Sequence, residues 1–176
     1  MRLLVCGYMA AARLIELSIS RRNIAASPSV EASTSKRLYP VMVLLHTAVI
    51  AGTAAFGARR TRAGWLAALF AVQPLRFWVL KSLGPSWNTR GAVPPETAVV
   101  TTGPYAFVRH PNYSVVAVEL AALPAAFGLG RLALVASLVN ALLMIVRVGD
   151  EEKLLFELSG YEEHFRRKPR FLPFIV

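Results

Sequence analysis

Two apolar runs, SVVAVELAALPAAFGLG (residues 114–130) and RLALVASLVNALLMIVRV (residues 131–148), decide the fold, because only a Gly-Leu-Gly-Arg turn lies at their junction. Each run approaches the about 20 apolar residues that a membrane-spanning helix requires, so the pair predicts a helical hairpin. If both helices span, the start of the first and the end of the second emerge on the same membrane face. Polar residues at those two positions, distant in sequence, therefore become neighbours.

The whole chain has the composition of a membrane protein. Of its 176 residues, 55% are hydrophobic and 17% are charged, and the mean hydropathy is +0.48, which excludes an ordinary soluble fold. The formal net charge is +10, but the chain lacks the polar and aromatic surface of a nucleic-acid reader. Membrane lipids with anionic headgroups are the expected partner, and nucleic acid is not. With the single cysteine Cys6, neither an internal disulfide nor a zinc site is expected.

Three further apolar stretches precede the hairpin and predict helices at about residues 3–20, 39–56 and 63–83. We interpret the first as a span rather than a cleaved secretory signal, because apolar residues resume after Arg13. Pro74 should kink the third span. The connector 57–62 is short enough to join the second and third spans as an antiparallel hairpin. The expected fold is an all-α integral membrane protein of about five transmembrane helices.

Several polar residues inside the first three predicted spans need partners, because a lone charge in hydrocarbon is costly. Arg13 and Glu16 are three residues apart and hence neighbours on one helix face, which favours a structural ion pair over a ligand contact. Arg76 either extends outward to the interface or turns into a polar cavity. His46 is a single histidine on an apolar helix, and we interpret it as a core residue bonded to a neighbouring helix.

The segment 101–113, TTGPYAFVRHPNY, carries more chemistry than a plain connector. It contains the turn signals Gly103-Pro104 and Pro111. It offers donors, acceptors and aromatic faces to one small polar ligand through Tyr105, Arg109, His110, Asn112 and Tyr113. The alternative is a loop whose Tyr and Arg side chains lie at headgroup level. Just before it, Val99 and Val100 predict an extended segment with free backbone groups.

A polar ridge runs along the second helix of the hairpin. Asn140, Arg147 and Glu151 are separated by seven and four residues, which at about 100° per residue places them within roughly 40° of one another. Such a ridge must face protein or water rather than lipid. It either ends in a structural ion pair at the membrane boundary or converges with His110 and Tyr113 on one site.

The C-terminal region predicts contact with the membrane surface. Residues 150–167 have apolar side chains near helical spacing and predict an amphipathic interfacial helix. The tail 169–176 is apolar and contains two prolines, so it either folds over a flat ligand or lies on the membrane. The basic side chains of this region place it in the cytoplasm at the inner membrane, although Arg59, Arg60 and Arg62 fall on the other face.

The motif TTGPYAFVRHPNY, the hairpin and the sequence RVGDEEKLLFELSGYEEHFRRKPRFLPF together resemble the isoprenylcysteine carboxyl methyltransferase family, including its bacterial members. The elements RHPxY and RxxxEE and the Y-x-x-x-F-x-x-x-P-R-x-x-P ending carry the resemblance, which covers the C-terminal half of the chain. It implies a multispan helical enzyme that transfers a methyl group from S-adenosylmethionine to a lipophilic acceptor. We accordingly expect one domain, with N-terminal spans in residues 1–83 and a cofactor-binding core in residues 84–176.

The resemblance also implies roles for single residues. It makes Arg147 the acceptor-side residue, and for a phenol or enol acceptor His110 is a candidate to remove the proton. It places contacts to S-adenosylmethionine on Val99, Val100, Tyr105, His110, Pro111, Asn112, Tyr113 and Glu151. The expected acceptor is a lipophilic small molecule or lipid, either isoprenylcysteine-like or a bacterial lipid-like acid, phenol or pyrone.

Three other functions stay open at this point. Two groups of membrane enzymes have similar C-terminal motifs. They are the NADPH-dependent reductases and the phospholipid N-methyltransferases. A non-enzymatic membrane scaffold is the third reading. Separate binding titrations with S-adenosylmethionine and with NADPH distinguish the methyltransferases from the reductases. The atom that becomes methylated distinguishes O- from N-methyltransferases.

Overall fold

The structure, a computed structural model, describes residues 1–27, 29–93, 99–157 and 161–171. The α-helices in these ranges are α1 (Arg2–Ala26), α2 (Ser33–Phe56), α3 (Ala63–Ala71), α4 (Gln73–Leu83), α5 (Pro111–Ala126), α6 (Gly130–Phe156) and α7 (Tyr161–Phe165). Four segments in this part of the chain are long and apolar enough to cross a membrane: Arg2–Ala26, Thr34–Phe56, Ala63–Ser86 and Gly130–Phe156. The prediction of an all-α integral membrane protein is confirmed.

The first helix of the hairpin, α5, is the central element of the bundle. Its 16 residues span only about 24 Å, less than the hydrocarbon thickness of a bilayer. It packs against α2, α3, α4 and α6. Residues on all sides of α5 are buried, for example Val115, Leu120 and Leu123. A helix that is buried on all sides belongs in the interior, and the other helices screen α5 from lipid.

The third apolar stretch is interrupted close to Pro74, as predicted. Helix α3 ends at Ala71, and α4 begins at Gln73 with the proline in its first turn. Proline lacks an N–H and clashes with the preceding turn of a helix. Its free-energy penalty is therefore smallest in the first turn of a new helix.

The prediction that the second and third spans form a hairpin of direct neighbours is wrong. Helix α3 packs on α5 rather than on α2. The connector 57–62 crosses the end of α5, where Ala58 N donates to Phe127 O at 2.8 Å and Arg62 N to Ala126 O at 2.8 Å. Six extended residues reach about 20 Å, which is enough to pass over a helix about 10 Å wide. Connector length limits the reach but does not choose the neighbour.

The polar loops gather at one end of the bundle, which we call the site end. Here the end of α1 meets residues 84–93: Asn23 Nδ2 donates to Gly84 O at 3.1 Å and to Trp87 O at 2.7 Å. Val30 and Val93 form an antiparallel bridge nearby. The starts of α2 and α5 and the end of α6 also lie at the site end, so the long helices alternate in direction.

The amphipathic helix expected at residues 150–167 is divided in the structure. Its first part extends α6 to Phe156, and residues 161–165 form the separate short helix α7. Residues 158–160 and the tail residues 172–176 lie outside the described part of the chain. The extension of α6 carries the buried Glu152 between Arg109 and Arg170, which ties this turn to the protein rather than to the membrane surface.

Candidate functional site

The polar ridge of α6 faces the protein interior. Asn140, Met144 and Arg147 are all buried, and Glu151 lies one turn further on. The expected convergence with the start of α5 is observed, because α5 and α6 are antiparallel neighbours joined by a short turn. The ridge thus supplies one wall of a site and the segment 101–113 another.

Arg147 lies at the centre of this site and is only 2% exposed. Its Nε donates to the Tyr113 hydroxyl at 2.9 Å, and its Nη2 donates to Thr89 O at 2.7 Å. Its Nη1 lies 2.9 Å from Met42 Sδ. Groups from α2, the 84–93 loop and α5 therefore fix the guanidinium in one place.

Tyr113 links Arg147 to Glu151. Its hydroxyl accepts from Arg147 Nε and donates to the Glu151 carboxylate. Arg147 and Glu151 thus share a phenol rather than forming the direct i,i+4 ion pair that the sequence offered as an alternative. The His110 ring stacks on the Tyr113 ring, with 5.4 Å between centroids.

A second carboxylate, Glu152, holds the C-terminal segment over the start of α5. Its Oε1 lies 3.2 Å from Arg109 Nη1 and 3.2 Å from His110 Nε2, and its Oε2 lies 2.7 Å from Arg170 Nη2. The pKa of Arg170 is raised by its hydrogen bond to this carboxylate. Backbone pairing adds to the attachment, because His110 N donates to Arg170 O at 2.8 Å. The tail therefore folds over the site as far as residue 171.

A cavity of about 490 Å³ connects these groups, a size typical of ligand sites. Seven of the eight residues expected to contact the cofactor, and Arg147 with them, line it: Val99, Val100, Tyr105, His110, Asn112, Tyr113 and Glu151. The exception is Pro111, which is fully buried and occupies the first turn of α5. Its fixed φ suits that position, so it shapes the site rather than lining it.

The cavity continues into an apolar groove between α1 and α2. Leu14 and Val43 line this part and are also exposed on the outer surface of the bundle. The groove therefore meets the surface that faces hydrocarbon. One space thus has a polar end at the membrane face and an apolar end open to lipid.

The pattern of the isoprenylcysteine carboxyl methyltransferase (ICMT) family matches residues 65–157. Over 166 residues the chain is 31% identical to uncharacterized protein YpbQ of Bacillus subtilis (strain 168), and the alignment covers 89% of this chain and 97% of that protein. This chain belongs to the ICMT family. Membership indicates a membrane methyltransferase.

Several residues of this ICMT-family site were missed from the sequence. Gly91 has a φ of +67°, and a Cβ there would lie 3.2 Å from Arg147 Nη2 and 3.2 Å from Glu151 Oε2. The glycine in WNTRG was the available signal, since a positive φ favours glycine. Met42 and Thr89 had no such signal, because their contacts with Arg147 arise only from the packing of α2 and the 84–93 loop.

Two tyrosines at the polar end stay neutral. Burial raises the pKa of Tyr105 and of Tyr161 above the ordinary value. Both rings line the cavity. In the described part of the chain, the Tyr161 hydroxyl and Trp87 Nε1 are buried without a hydrogen-bond partner. Unsatisfied donors in a cavity wall suit a polar ligand that accepts hydrogen bonds.

A buried ion cluster lies deeper in the bundle, on the wall of the same cavity. Arg76 Nη2 lies 2.5 Å from Glu119 Oε2, and Arg13 Nη2 lies 2.9 Å from Glu16 Oε1 and 3.5 Å from Glu119 Oε1. Arg76 therefore turns inward, and the Arg13–Glu16 pair forms as predicted. Glu119 is only 3% exposed and was not singled out from the sequence.

The ion cluster is joined to the site through Asn112. Arg76 Nη1 donates to Asn112 Oδ1 at 2.9 Å, so the amide NH₂ is the group that remains for a ligand. Gln73 Nε2 completes the cluster by donating to Glu119 Oε1 at 3.0 Å. Charged residues of three helices thus set the orientation of one candidate ligand contact.

Proposed function

We propose that this protein transfers the methyl group of S-adenosylmethionine to a carboxyl or hydroxyl oxygen of a lipophilic acceptor. One observation carries the proposal: a single cavity joins a polar end at the membrane face to an apolar groove open to lipid, and Arg147 lies at the junction. A polar methyl donor and an apolar acceptor need such a two-ended space to meet.

The polar end suits the donor. The carboxylate of Glu151 can pair with an ammonium group, and the free amide NH₂ of Asn112 can donate to a carboxylate. The neutral rings of Tyr105 and Tyr161 present aromatic faces, which attract a sulfonium. Val99 and Val100, which lie outside any helix and line the cavity, add backbone groups. When bound here, S-adenosylmethionine would supply an electrophilic methyl group.

The task of the protein is then mainly alignment. Arg147 holds the acceptor oxygen at the junction and stabilises its negative charge in a cavity of low polarity. The guanidinium remains protonated and cannot act as a base. Tyr113 fixes its direction through the hydrogen bond to Nε. His110, next to Tyr113, belongs to the donor end.

We further propose that the site end faces the cytoplasm at the inner membrane. The cations of the site end include Arg21, Arg22, Lys36 and Arg90, and the C-terminal segment adds Arg166 and Arg167. Positive loops are retained on the cytoplasmic side, where anionic lipid attracts them. This side is also the one to which a soluble nucleoside donor has access.

Arg147→Ala is the first test. We expect kcat/KM for methyl transfer to fall by about 10²–10³-fold, as for the loss of one oxyanion donor, while the Kd for S-adenosylmethionine changes little. Arg60→Ala, at an exposed arginine of the α2–α3 connector, is the control. Full turnover by Arg147→Ala, or binding of NADPH in place of S-adenosylmethionine, would contradict the proposal.

The acceptor can be found directly. Purified protein is incubated with methyl-labelled S-adenosylmethionine and a lipid extract of its native membrane, and labelled lipids are identified by mass spectrometry. We expect label on an oxygen of an apolar molecule, absent with Arg147→Ala. Label on nitrogen, as in a phospholipid headgroup, would overturn the assignment as an O-methyltransferase.

A further inference from the structure

His46 has an arrangement that its sequence context did not suggest. Its Nδ1 lies 2.8 Å from Met42 O, one turn back on its own helix, so the predicted bond to a neighbouring helix is not made. Because a carbonyl oxygen only accepts, Nδ1 must carry the proton, which leaves a lone pair on Nε2. Among the described residues Nε2 has no hydrogen-bond partner, and the ring lines the cavity.

Met42 contacts both this imidazole and Arg147. Its carbonyl accepts from His46, and its Sδ lies 2.9 Å from Arg147 Nη1. Residues four apart on a helix have Cβ atoms about 5–6 Å apart. The ring of His46 and an oxygen held by Arg147 therefore share one cavity, and Met42 contacts both residues.

We propose that His46 is the proton acceptor for a hydroxyl-bearing acceptor, a long-chain phenol or enol, and this rests on the proposed function. An oxygen lone pair forms the new O–CH₃ bond, and the electron pair of the S–CH₃ bond goes to sulfur. The hydroxyl proton moves to His46 Nε2. A neutral hydroxyl, a sulfonium and a neutral imidazole thus give an ether, a thioether and an imidazolium. A carboxylate acceptor is already ionised and has no use for this base.

His110, the histidine that the sequence suggested for this role, is committed elsewhere. Its Nε2 lies 3.2 Å from Glu152 Oε1, and the same carboxylate binds Arg109 and Arg170. Its ring stacks on Tyr113, and it anchors the tail through its backbone. His46 lies on α2, which lines the apolar groove, whereas His110 lies at the start of α5 at the site end, so His46 is the histidine on the acceptor side.

The charged groups around His46 come from three other helices. Arg13 of α1, Arg76 of α4 and Glu119 of α5 are close enough to act on it electrostatically. They belong to the ion cluster, in which Glu16 is the second carboxylate. The two cations oppose a proton on His46 and the two carboxylates favour one, so the cluster compensates its own charge.

A chromogenic ligand tests the inference without turnover. An alkyl-substituted nitrophenol is bound to the protein in the presence of S-adenosylhomocysteine, and its yellow phenolate absorbance reports proton loss. The comparison is made one pH unit below the solution pKa of the probe. The matched set is wild type, His46→Gln, His110→Gln and, at the exposed histidine of α7, His164→Gln.

We expect bound probe to be mostly phenolate in wild type and in His164→Gln, and the phenolate fraction to fall at least five-fold in His46→Gln. Loss of the signal in His110→Gln alone would overturn the inference in favour of His110. An unchanged signal in all variants would overturn it as well. Binding of S-adenosylhomocysteine, measured by calorimetry, checks that His46→Gln is folded.

Kinetics with two acceptors give a second readout. For methylation of an alkylphenol we expect kcat of His46→Gln to fall by about 10²-fold or more, the usual contribution of a general base. For a long-chain carboxylic acid or an already ionised nitrophenol it should change less than three-fold. Equal losses with both acceptors would contradict the base role. Methylation of neither class by wild type would overturn the proposed function itself.

Discussion

At the scale of the residue, the decisive feature is the environment of Arg147. It contacts a phenol hydroxyl, a thioether and a backbone carbonyl, and in the described part of the chain no carboxylate pairs with it directly. A guanidinium that is fixed, buried and without a direct counter-ion attracts an anionic oxygen strongly, because the surrounding dielectric is low. Arg147 should therefore decide which acceptor group binds.

Gly91 leaves space for the side chains of Arg147 and Glu151, because it has no side chain of its own. Gly91→Ala forces an alanine into a left-handed conformation, which costs about 1–2 kcal/mol, and its Cβ approaches Arg147 and Glu151. We expect a lower melting temperature in detergent and weaker S-adenosylmethionine binding. In Gly149→Ala, on α6, the added Cβ meets nothing within 4 Å, and this control should be stabilised by about 1 kcal/mol. Equal effects of the two changes would contradict the account.

Glu119 is the residue on which the ion cluster depends most. Glu119→Ala leaves Arg76 with less compensation in the bundle interior, and we expect the free energy of unfolding to fall by about 3–5 kcal/mol. The double variant Glu119→Leu with Arg76→Met should recover most of that loss, since it removes the charges together. Thermal unfolding in detergent measures both. Failure of the double variant to recover would show that the cluster acts through more than charge compensation.

At the scale of the element, the C-terminal segment 166–171 acts as a strap across the start of α5. Arg109 binds it with its Nη2, which donates to Arg166 O at 2.7 Å, and with its Nε, which donates to Lys168 O at 2.8 Å. The strap also donates a hydrogen bond, from Lys168 Nζ to Tyr105 O at 2.9 Å. Burial lowers the pKa of this lysine. The strap covers the motif that begins α5, so it should control access to the polar end.

Glu152 anchors the strap. Glu152→Ala removes the acceptor shared by Arg109, His110 and Arg170, so we expect the strap to detach more often. Hydrogen exchange should then rise by about ten-fold at the amides of Arg109 and His110, which donate to the strap carbonyls. The control is Glu163→Ala, at an exposed glutamate of α7. Unchanged protection in Glu152→Ala would mean that backbone pairing alone holds the strap.

At the scale of the whole molecule, alternating helices place the polar site at one end of the bundle and the α2–α3 connector at the other. The connector is tied to the end of α5, and the strap to its start. Because α5 lies inside the bundle, the irregular segments at its two ends are hydrogen-bonded within the protein, as a membrane favours.

Cysteine labelling tests this arrangement. The native Cys6 is only 3% exposed and should react slowly with a maleimide. Labelling of a single introduced cysteine can therefore be measured without removing Cys6. We expect a membrane-impermeant maleimide to label Arg60→Cys from the periplasmic side of oriented vesicles, and Glu163→Cys only from the cytoplasmic side. Labelling of both from one side would contradict the topology, and reversed labelling would contradict the proposed orientation.

The sequence predicted those features of the fold that depend on residues close together in the chain. The length of an apolar run predicts a membrane-spanning helix. The spacing of Asn140, Arg147 and Glu151 predicts that they share a helix face, and Pro74 predicts a helix break. The hairpin turn then predicted that the two polar clusters meet. The direct pairing of the second and third spans was wrong, because apolar surfaces are interchangeable and do not specify a neighbour.

The sequence by itself thus determined a helical membrane protein, its family resemblance and the two halves of a candidate site, because these depend on residues close together in the chain. Only the tertiary structure decided that α5 is central, that Arg76 and Glu119 pair inside the bundle, and that Met42, Thr89 and Gly91 surround Arg147. It also decided that His46 and Arg147 line the same cavity. These contacts join residues far apart in sequence, and packing rather than local pattern selects them.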